Sequence, residues 1–301
     1  RLGDDLGLAR AWRLIAEVES TTGHTGPALA AADRALELAR RAGNERWETR
    51  IMLLRCQVLE RGPTPLAEVE REVSETLARS RSSGARRLEA GALIVLARSA
   101  AMRERFAEAR GLLDDAGTVL DGLGDQRMTA AMAEAGGTVA RLAGALAAAE
   151  AALRDGVEAL DRLGMTAPRP GLEAALARVL LDQGRVDEAE ELASHAGETA
   201  AEGDVETQLA WRGVAAVALA RTGRTAEALA LARGAVARGE GCDKLNRKAD
   251  ALLDLAETLR LGGQAAEAAT AAQWALTGYR RKGNEVAART AAALLASLAG
   301  A

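Results

Sequence analysis

Residues Gly184–Asp204 read GRVDEAEELASHAGETAAEGD, a stretch with carboxylates, a histidine and a glycine near each end. Taken alone, it has the polar groups of an active-site loop. It does not stand alone. GRTAEALALARGAVARGEGCD starts 39 residues later at Gly223, and GQAAEAATAAQWALTGYRRKGN starts at Gly263. Self-similarity at a fixed spacing marks a structural building block before it marks chemistry.

Working outward, equivalents of Gly184 fall at Gly23, Gly62, Glu104, Gly144, Gly223 and Gly263, a period of about 40 residues. Alanine follows five residues later each time, at Ala28, Ala67, Ala109, Ala149, Ala189, Ala228 and Ala268. Seven residues further on the position is small: Ala35, Ser74, Ala116, Gly156, Ala196, Ala235 and Ala275. Seven residues before the turn it is small at Ala16, Ala97, Gly137, Ala177, Ala216 and Ala256, with Arg55 the exception. A second turn recurs at Gly43, Gly84, Gly124, Gly164, Gly203, Cys242 and Gly283. Each unit is therefore helix A, a tight turn, helix B and a second turn. Glycine supplies the left-handed residue after a helix, and the Asp or Asn behind it caps the next one. Pro27, Pro63, Pro65, Pro168 and Pro170 all fall near expected helix starts, where a missing N–H costs little.

Small residues let helix A and helix B approach closely. Larger ones between them (Ile15, Leu54, Leu96, Leu176 and Leu255) fill the space between hairpins. One hairpin cannot bury both its faces, so stability has to come from stacking. The expected units are 4–43, 44–84, 85–124, 125–164, 165–203, 204–243 and 244–283, with a capping helix in 284–301. The fold class is all-α: a right-handed α–α superhelix of seven hairpins plus that cap, read as one repeat domain over 1–301.

Composition agrees. Alanine and leucine dominate a chain whose aromatics are Trp12, Trp47, Trp211, Trp274, Tyr279 and Phe106. Ala, Leu, Arg and Glu are strong helix formers, and no run alternates as a strand would. The net charge of −4 argues against a globally basic nucleic-acid binder. No apolar run approaches the ~18 residues that span a bilayer. Cys56 and Cys242 are isolated and suit a reducing cytosol, so a cytoplasmic location is expected. Arg1 in place of methionine is read as the start of an excised piece.

Small residues at these offsets, with glycine at the first turn, resemble the tetratricopeptide repeat over nearly the whole chain. Two departures stand out. The period is near 40 rather than ~34, and the usual proline near the end of helix B is replaced by Arg40, Arg79, Asp121, Asp161, Ala201, Glu240 and Arg280. With its ending YRRKGNEVAARTAAALLASL, the chain is similar to the repeat regions of large bacterial signalling ATPases, including LuxR-type regulators and ATPase-linked class III cyclases. That resemblance implies a peptide or protein partner, and an upstream ATPase effector domain in the same polypeptide.

No P-loop, HExxH, GxSxG or GxGxxG motif occurs, so neither catalysis nor a cofactor is expected. His24 and His195 have no second histidine or cysteine at ligand spacing and are read as surface or packing residues. Glu108, Glu188, Glu227 and Glu267 precede the repeated alanine, where a negative charge suits the start of helix B. Arg79, Arg81, Arg86 and Arg87 are read as a solvated basic turn, and the tryptophans as core. Thr166–Gly171 (TAPRPG) starts a helix or lets the two halves adjust; Gly136 and Gly137 indicate close packing or a kink.

Helix A should line the concave face. Counting thirteen, ten and six residues back from the turn selects Arg10, Arg13 and Glu17, then Arg98, Glu134, Arg178, Asp250 and Glu257, with Met52, Cys56, Ile94 and Val217 between them. This mixed groove suits a peptide, a partner helix or a modest ligand, and it lacks the repeated Lys and Asn of a carboxylate clamp. The leading expectation is a protein- or peptide-binding sensor module of a bacterial signalling or transcription-regulating protein. A small-molecule sensor and an enzyme without a recognisable motif are the alternatives. A second copy of the chain is a further candidate partner.

Overall fold

A computed structural model describes residues 4–123 and 126–299. It contains fifteen α-helices among the described residues. They pair as α1 (Asp5–Thr21) with α2 (Thr25–Arg41), α3 (Glu45–Arg61) with α4 (Leu66–Ser83), α5 (Arg86–Met102) with α6 (Phe106–Asp121), and α7 (Gln126–Leu142) with α8 (Leu146–Arg162). The series continues with α9 (Arg169–Asp182) and α10 (Val186–Thr199), α11 (Val205–Arg221) and α12 (Thr225–Arg238), and α13 (Leu245–Leu261) and α14 (Ala265–Lys282), before α15 (Glu285–Ala299) closes it. No described helix is long and apolar enough to cross a membrane.

Local chemistry sets the helix ends. Asp4, Asn44, Asp204 and Asn284 each accept a hydrogen bond from the backbone N–H three residues on, at the starts of α1, α3, α11 and α15. Six of the seven first turns pass through positive φ, including Glu104 at φ 63°, the one such non-glycine residue among those described. Pro168 and Pro170 begin α9, and α7 runs unbroken through Gly136 and Gly137. A Cβ on Gly137 would lie 2.5 Å from Leu153 Cγ, so Gly137 serves close packing, whereas one on Gly136 would make only an ordinary contact with Ala152 at 3.8 Å. The expected turn glycine Gly124 lies outside the described residues.

The second unit departs from the reading of its register. Gly62 has φ −81°, Ala67 and Ser74 are exposed, and Cys56 (3% exposed) takes the small position assigned to residue 55. The cause is the Pro63-Thr64-Pro65 turn, which delays α4 so that Val69 and Thr76 become the buried contacts. Gly62 is glycine for a different reason: a Cβ there would run into Thr25 of the first hairpin.

Two kinds of packing hold the stack. Inside, Ala28, Ala109, Ala149, Ala189, Ala228 and Ala268 are all fully buried where helices touch. Helix α5 is buried from Leu88 to Met102, including the paired Glu89 and Arg98, as expected of a helix enclosed by neighbours. Outside, an ion-pair ladder repeats. Arg105, Arg185 and Arg224, each just past a turn, bond Glu108, Glu188 and Glu227 on their own helix B. The same arginines reach back to Glu70, Glu150 and Glu190 on the preceding one. The glutamates read as helix-dipole partners are thus also rungs, and bonds from Gln183, Arg185 and Arg154 hold the Glu150 carboxyl down to about 2.

The superhelix closes on itself. Asp243, between α12 and α13, accepts from the N–H groups of Thr25 (2.9 and 3.0 Å) and Gly26 (3.4 Å), capping α2 from 218 residues away. Its own N–H donates to Gly23 O at 3.0 Å. Lys282, at the end of α14 and fully buried, donates to Gly62 O and Thr64 O at 2.7 Å each. Asn246 donates to Met102 Sδ, and Arg289 on α15 pairs with Glu104. The first three A–B turns therefore rest on the last three helices.

Asp243→Ala should cost about 1–2 kcal/mol, the worth of a strong N-cap, read as a lower urea midpoint; Asp243→Asn should retain most of the cap. Burial also pushes the Lys282 ammonium down to about 8. Between that value and the unfolded lysine pKa of ~10.4 the unfolded chain binds more protons, so stability gains with pH. The stability difference between wild type and Lys282→Met should therefore widen in favour of wild type from pH 7.5 to 9.5.

Candidate binding cavity

The A helices turn one side toward the superhelix axis, and closure brings α3 and α5 opposite α13, α14 and α15. Between them lies a cavity of about 510 Å³. Glycine and alanine on α9 (Gly171, Ala174, Ala175) leave it open, and charged side chains line it.

Those charges form two linked clusters. In the first, Arg98 Nη2 donates to Glu60 at 2.6 Å, and both side chains are under one-tenth exposed. Glu134 sits 3.8 Å from both Arg98 and Arg61. Glu206 gathers Arg61 at 3.8 Å, Arg247 at 3.6 Å and the buried ammonium of Lys244. Burial would raise the Glu206 carboxyl, but Arg61, Lys244 and Arg247 together hold it well below the usual carboxylate range. Arg98 Nε is buried without a hydrogen-bond partner.

In the second cluster, Arg178 Nη2 donates to Asp254 at 2.5 Å, and Tyr279 donates its hydroxyl proton to Asp250 at 2.6 Å. Gly213 on α11 makes room for Asp254, whose carboxylate occupies the space a Cβ there would need. Burial raises the Asp254 carboxyl. Arg178 opposes that rise, while Asp250 and Asp182 add to it. Arg247 joins the two clusters, 3.5 Å from Asp250.

Of the residues selected by position in the repeat, Arg98, Glu134, Arg178 and Asp250 line this cavity. Arg10, Arg13 and Glu17 do not. Arg10 and Arg13 stand 5.1 and 5.6 Å from the Trp47 ring, with Arg50 at 5.1 Å, and Glu17 pairs with Arg13. Glu257 is taken up by Arg260 on its own helix at 2.7 Å. Cys56, Ile94 and Val217 belong to the core and not to the inner wall, and burial pushes the Cys56 thiol up to about 11.

The basic turn is partly neutralised: Arg81 and Arg86 both bond Glu89, which is buried. His24 and His195 are half-exposed and lie 3.0 Å from Glu19 and Glu173. Trp274 is 62% exposed, against the core placement expected of it. Periodic counting missed Glu60, Arg61, Glu206 and Tyr279, which face the cavity from helix ends or through closure. The charge of α3's last turn, Glu60-Arg61, was the available signal.

Removing one partner of a buried ion pair strands the other charge. Arg178→Ala should therefore cost about 3 kcal/mol at pH 7, the low end for a buried pair because Arg178 keeps some exposure, measured by urea unfolding. The cost should shrink as pH falls toward the raised Asp254 pKa, because the folded variant then takes up a proton and buries a neutral acid.

No family model matches the chain, and no curated protein matches it. Solved structures do. A Rap protein complexed with competence and sporulation factor aligns with a TM-score of 0.70 at 16% identity, covering 98% of this chain and 78% of that one. The apo form of the quorum sensor NprR from B. thuringiensis aligns at 0.56 with 10% identity, covering 97% and 79%. A STAND signal-transduction ATPase with a tetratricopeptide repeat sensor, from Pyrococcus horikoshii, aligns at 0.50 with 13% identity, covering 91% of this chain and 46% of that one. At such identities the likeness is one of fold: the chain is a tetratricopeptide-like repeat protein, an all-α superhelix.

Proposed function

We propose that this chain is a binding module whose central cavity receives a short extended peptide carrying charges of both signs. The observation that carries the reading is the cavity itself. At about 510 Å³ it falls within the roughly 300–1,000 Å³ of ligand pockets and is too small for a folded partner. Its walls offer Arg61 and Arg247 to anionic groups, and Asp250 and Asp182 to cationic ones. The buried, unpaired Arg98 Nε adds a donor for a carbonyl. The like-folded Rap protein, solved with competence and sporulation factor, and the quorum sensor NprR support a sensing role.

In the fuller reading the repeats act as one unit over 1–301 in a cytoplasmic bacterial signalling or transcription-regulating protein, coupled to an upstream effector such as an ATPase. The same cavity size favours a small metabolite as the second reading.

The test is a thermal-shift screen of free tri- to hexapeptides and, separately, of charged metabolites, followed by calorimetry on the hits. A peptide hit should raise the melting temperature by mass action. Arg247→Gln should weaken it about tenfold (~1.4 kcal/mol) with helicity intact, while Arg13→Glu leaves it unchanged. Binding lost in Arg13→Glu but kept in Arg247→Gln would move the site to the Trp47 cluster. Hits among metabolites alone would establish the second reading.

A further inference from the structure

Among the described residues, seven large hydrophobic side chains stand exposed, and five of them share α1: Leu8 at 48%, Trp12 at 36%, Leu14 at 57%, Ile15 at 42% and Val18 at 54%. Leu8, Trp12, Ile15 and Val18 recur at helical spacing and so form a stripe. The repeat explains what such a stripe is for. The residue eight before the turn, Ile15 on α1, corresponds to Leu96 on α5 and Leu176 on α9, which are 8% and 4% exposed. In the core, Leu96 clusters with Val73 and Leu77 of α4, and Leu176 with Leu153 of α8. The same position on α13, Leu255, packs against the cluster that contains Leu229 of α12. On α3, after the one-residue shift of its register, the position is Arg55, which bonds both Asp33 of α2 at 2.8 Å and Glu72 of α4 at 2.9 Å. At this position, then, helix A meets the helix B of the unit before it.

A second, independent signal lies in the sequence just ahead of α1. Gly3-Asp4 repeats the Gly-Asx pair of Gly43-Asn44, Gly203-Asp204 and Gly283-Asn284. In those three places the pair follows a helix B (α2, α10 and α14), and its Asx side chain caps the next helix. Asp4 caps α1 in the same way, accepting from Gly7 N–H at 2.7 Å. The far end of the stack is finished differently. Helix α15 covers α14 and turns Arg289, Thr290, Ala293, Ala296 and Ser297 outward.

We infer that the α1 stripe is the seat of one more B-type helix, supplied by the same polypeptide immediately ahead of the Gly3-Asp4 pair. That helix carries small and leucine side chains on the face laid against Leu8, Trp12, Ile15 and Val18, as α4 and α8 do toward α5 and α9. The stack thus continues toward the amino terminus, so an effector joined at that end connects through a rigid helical interface.

The test compares the chain from Arg1 with the natural polypeptide extended by its ~40 preceding encoded residues, one repeat length. Amide exchange across Leu8–Val18 should slow about tenfold in the extended chain. The emission component removed by Trp12→Phe should shift to shorter wavelength. Ile15→Lys should abolish both effects in the extended chain while leaving the melting temperature of the chain from Arg1 unchanged. The inference is overturned if the extension leaves α1 exchange and Trp12 emission unaltered, or if the reading frame begins within a few codons of Arg1. It is also overturned if sedimentation shows the chain from Arg1 dimerising at micromolar concentration in an Ile15-dependent way, which would make a second copy the occupant.

Discussion

The Asp243 carboxylate on the amino end of α2 is the contact on which the interior depends. A stack of hairpins has no intrinsic reason to enclose anything, because each unit buries itself against its neighbours and the concave side stays open. Here the turns of the first units sit on the last ones, and the sequence makes space for that approach. A Cβ at Gly23 would stand 2.9 Å from Cys242 Sγ. A Cβ at Gly62 would run into Thr25, and the turn it belongs to presents two carbonyl oxygens to Lys282. Buried backbone acceptors without partners are costly, so Lys282 satisfies groups that would otherwise oppose closure. Burial without a bonded carboxylate is what pushes its ammonium pKa down, with the Glu60 charge opposing the shift.

How much of this was legible follows from what repeats. The period and the fully buried alanines recur in six or seven units, Asx caps start four described helices, and periodic counting finds them. The second unit was misregistered because its Pro63-Thr64-Pro65 turn carries an extra residue while Gly62 and Ala67 happen to preserve the expected spacing. Burial then showed Cys56 and Val69 in the packing positions. Closure was invisible for the opposite reason. Asp243, Lys282 and Met102 act once each, and nothing in a single occurrence announces a partner some 140 to 220 residues away. The cavity inherits both outcomes. Arg98, Glu134, Arg178 and Asp250 follow from position in the repeat, whereas Glu60, Glu206 and Tyr279 depend on which helix ends closure brings inward.

The outer and inner charges do different physical work. The ladder of Arg105, Arg185 and Arg224 with its glutamates is largely solvated, and exposed pairs contribute little each. Its regularity fixes the register of one unit on the next. The inner clusters are fewer, unevenly spaced and partly desolvated, and position in the repeat selects only some of their members. Glu206 is held ionised by three cations, while Asp254 has one arginine and two neighbouring carboxylates. Neighbouring acids therefore differ in their readiness to accept a positive charge, a distinction that uniform surface pairing does not produce.

Because the cavity walls come from early and late units alike, anything bound between them is coupled to closure. Arg61 lies on α3 and Arg247 on α13, and they already share the Glu206 carboxylate across the axis. An anionic group placed between the two arginines bridges the early and late units as Glu206 does. By linkage, such a ligand stabilises the closed arrangement by its differential affinity for it and by nothing more. The same relation runs in reverse. Weakening Asp243 or Lys282 lowers the fraction of molecules in which the site exists, and apparent affinity falls by that fraction even though no contact to the ligand has changed. Residues far from the cavity thus set its occupancy through the geometry they hold.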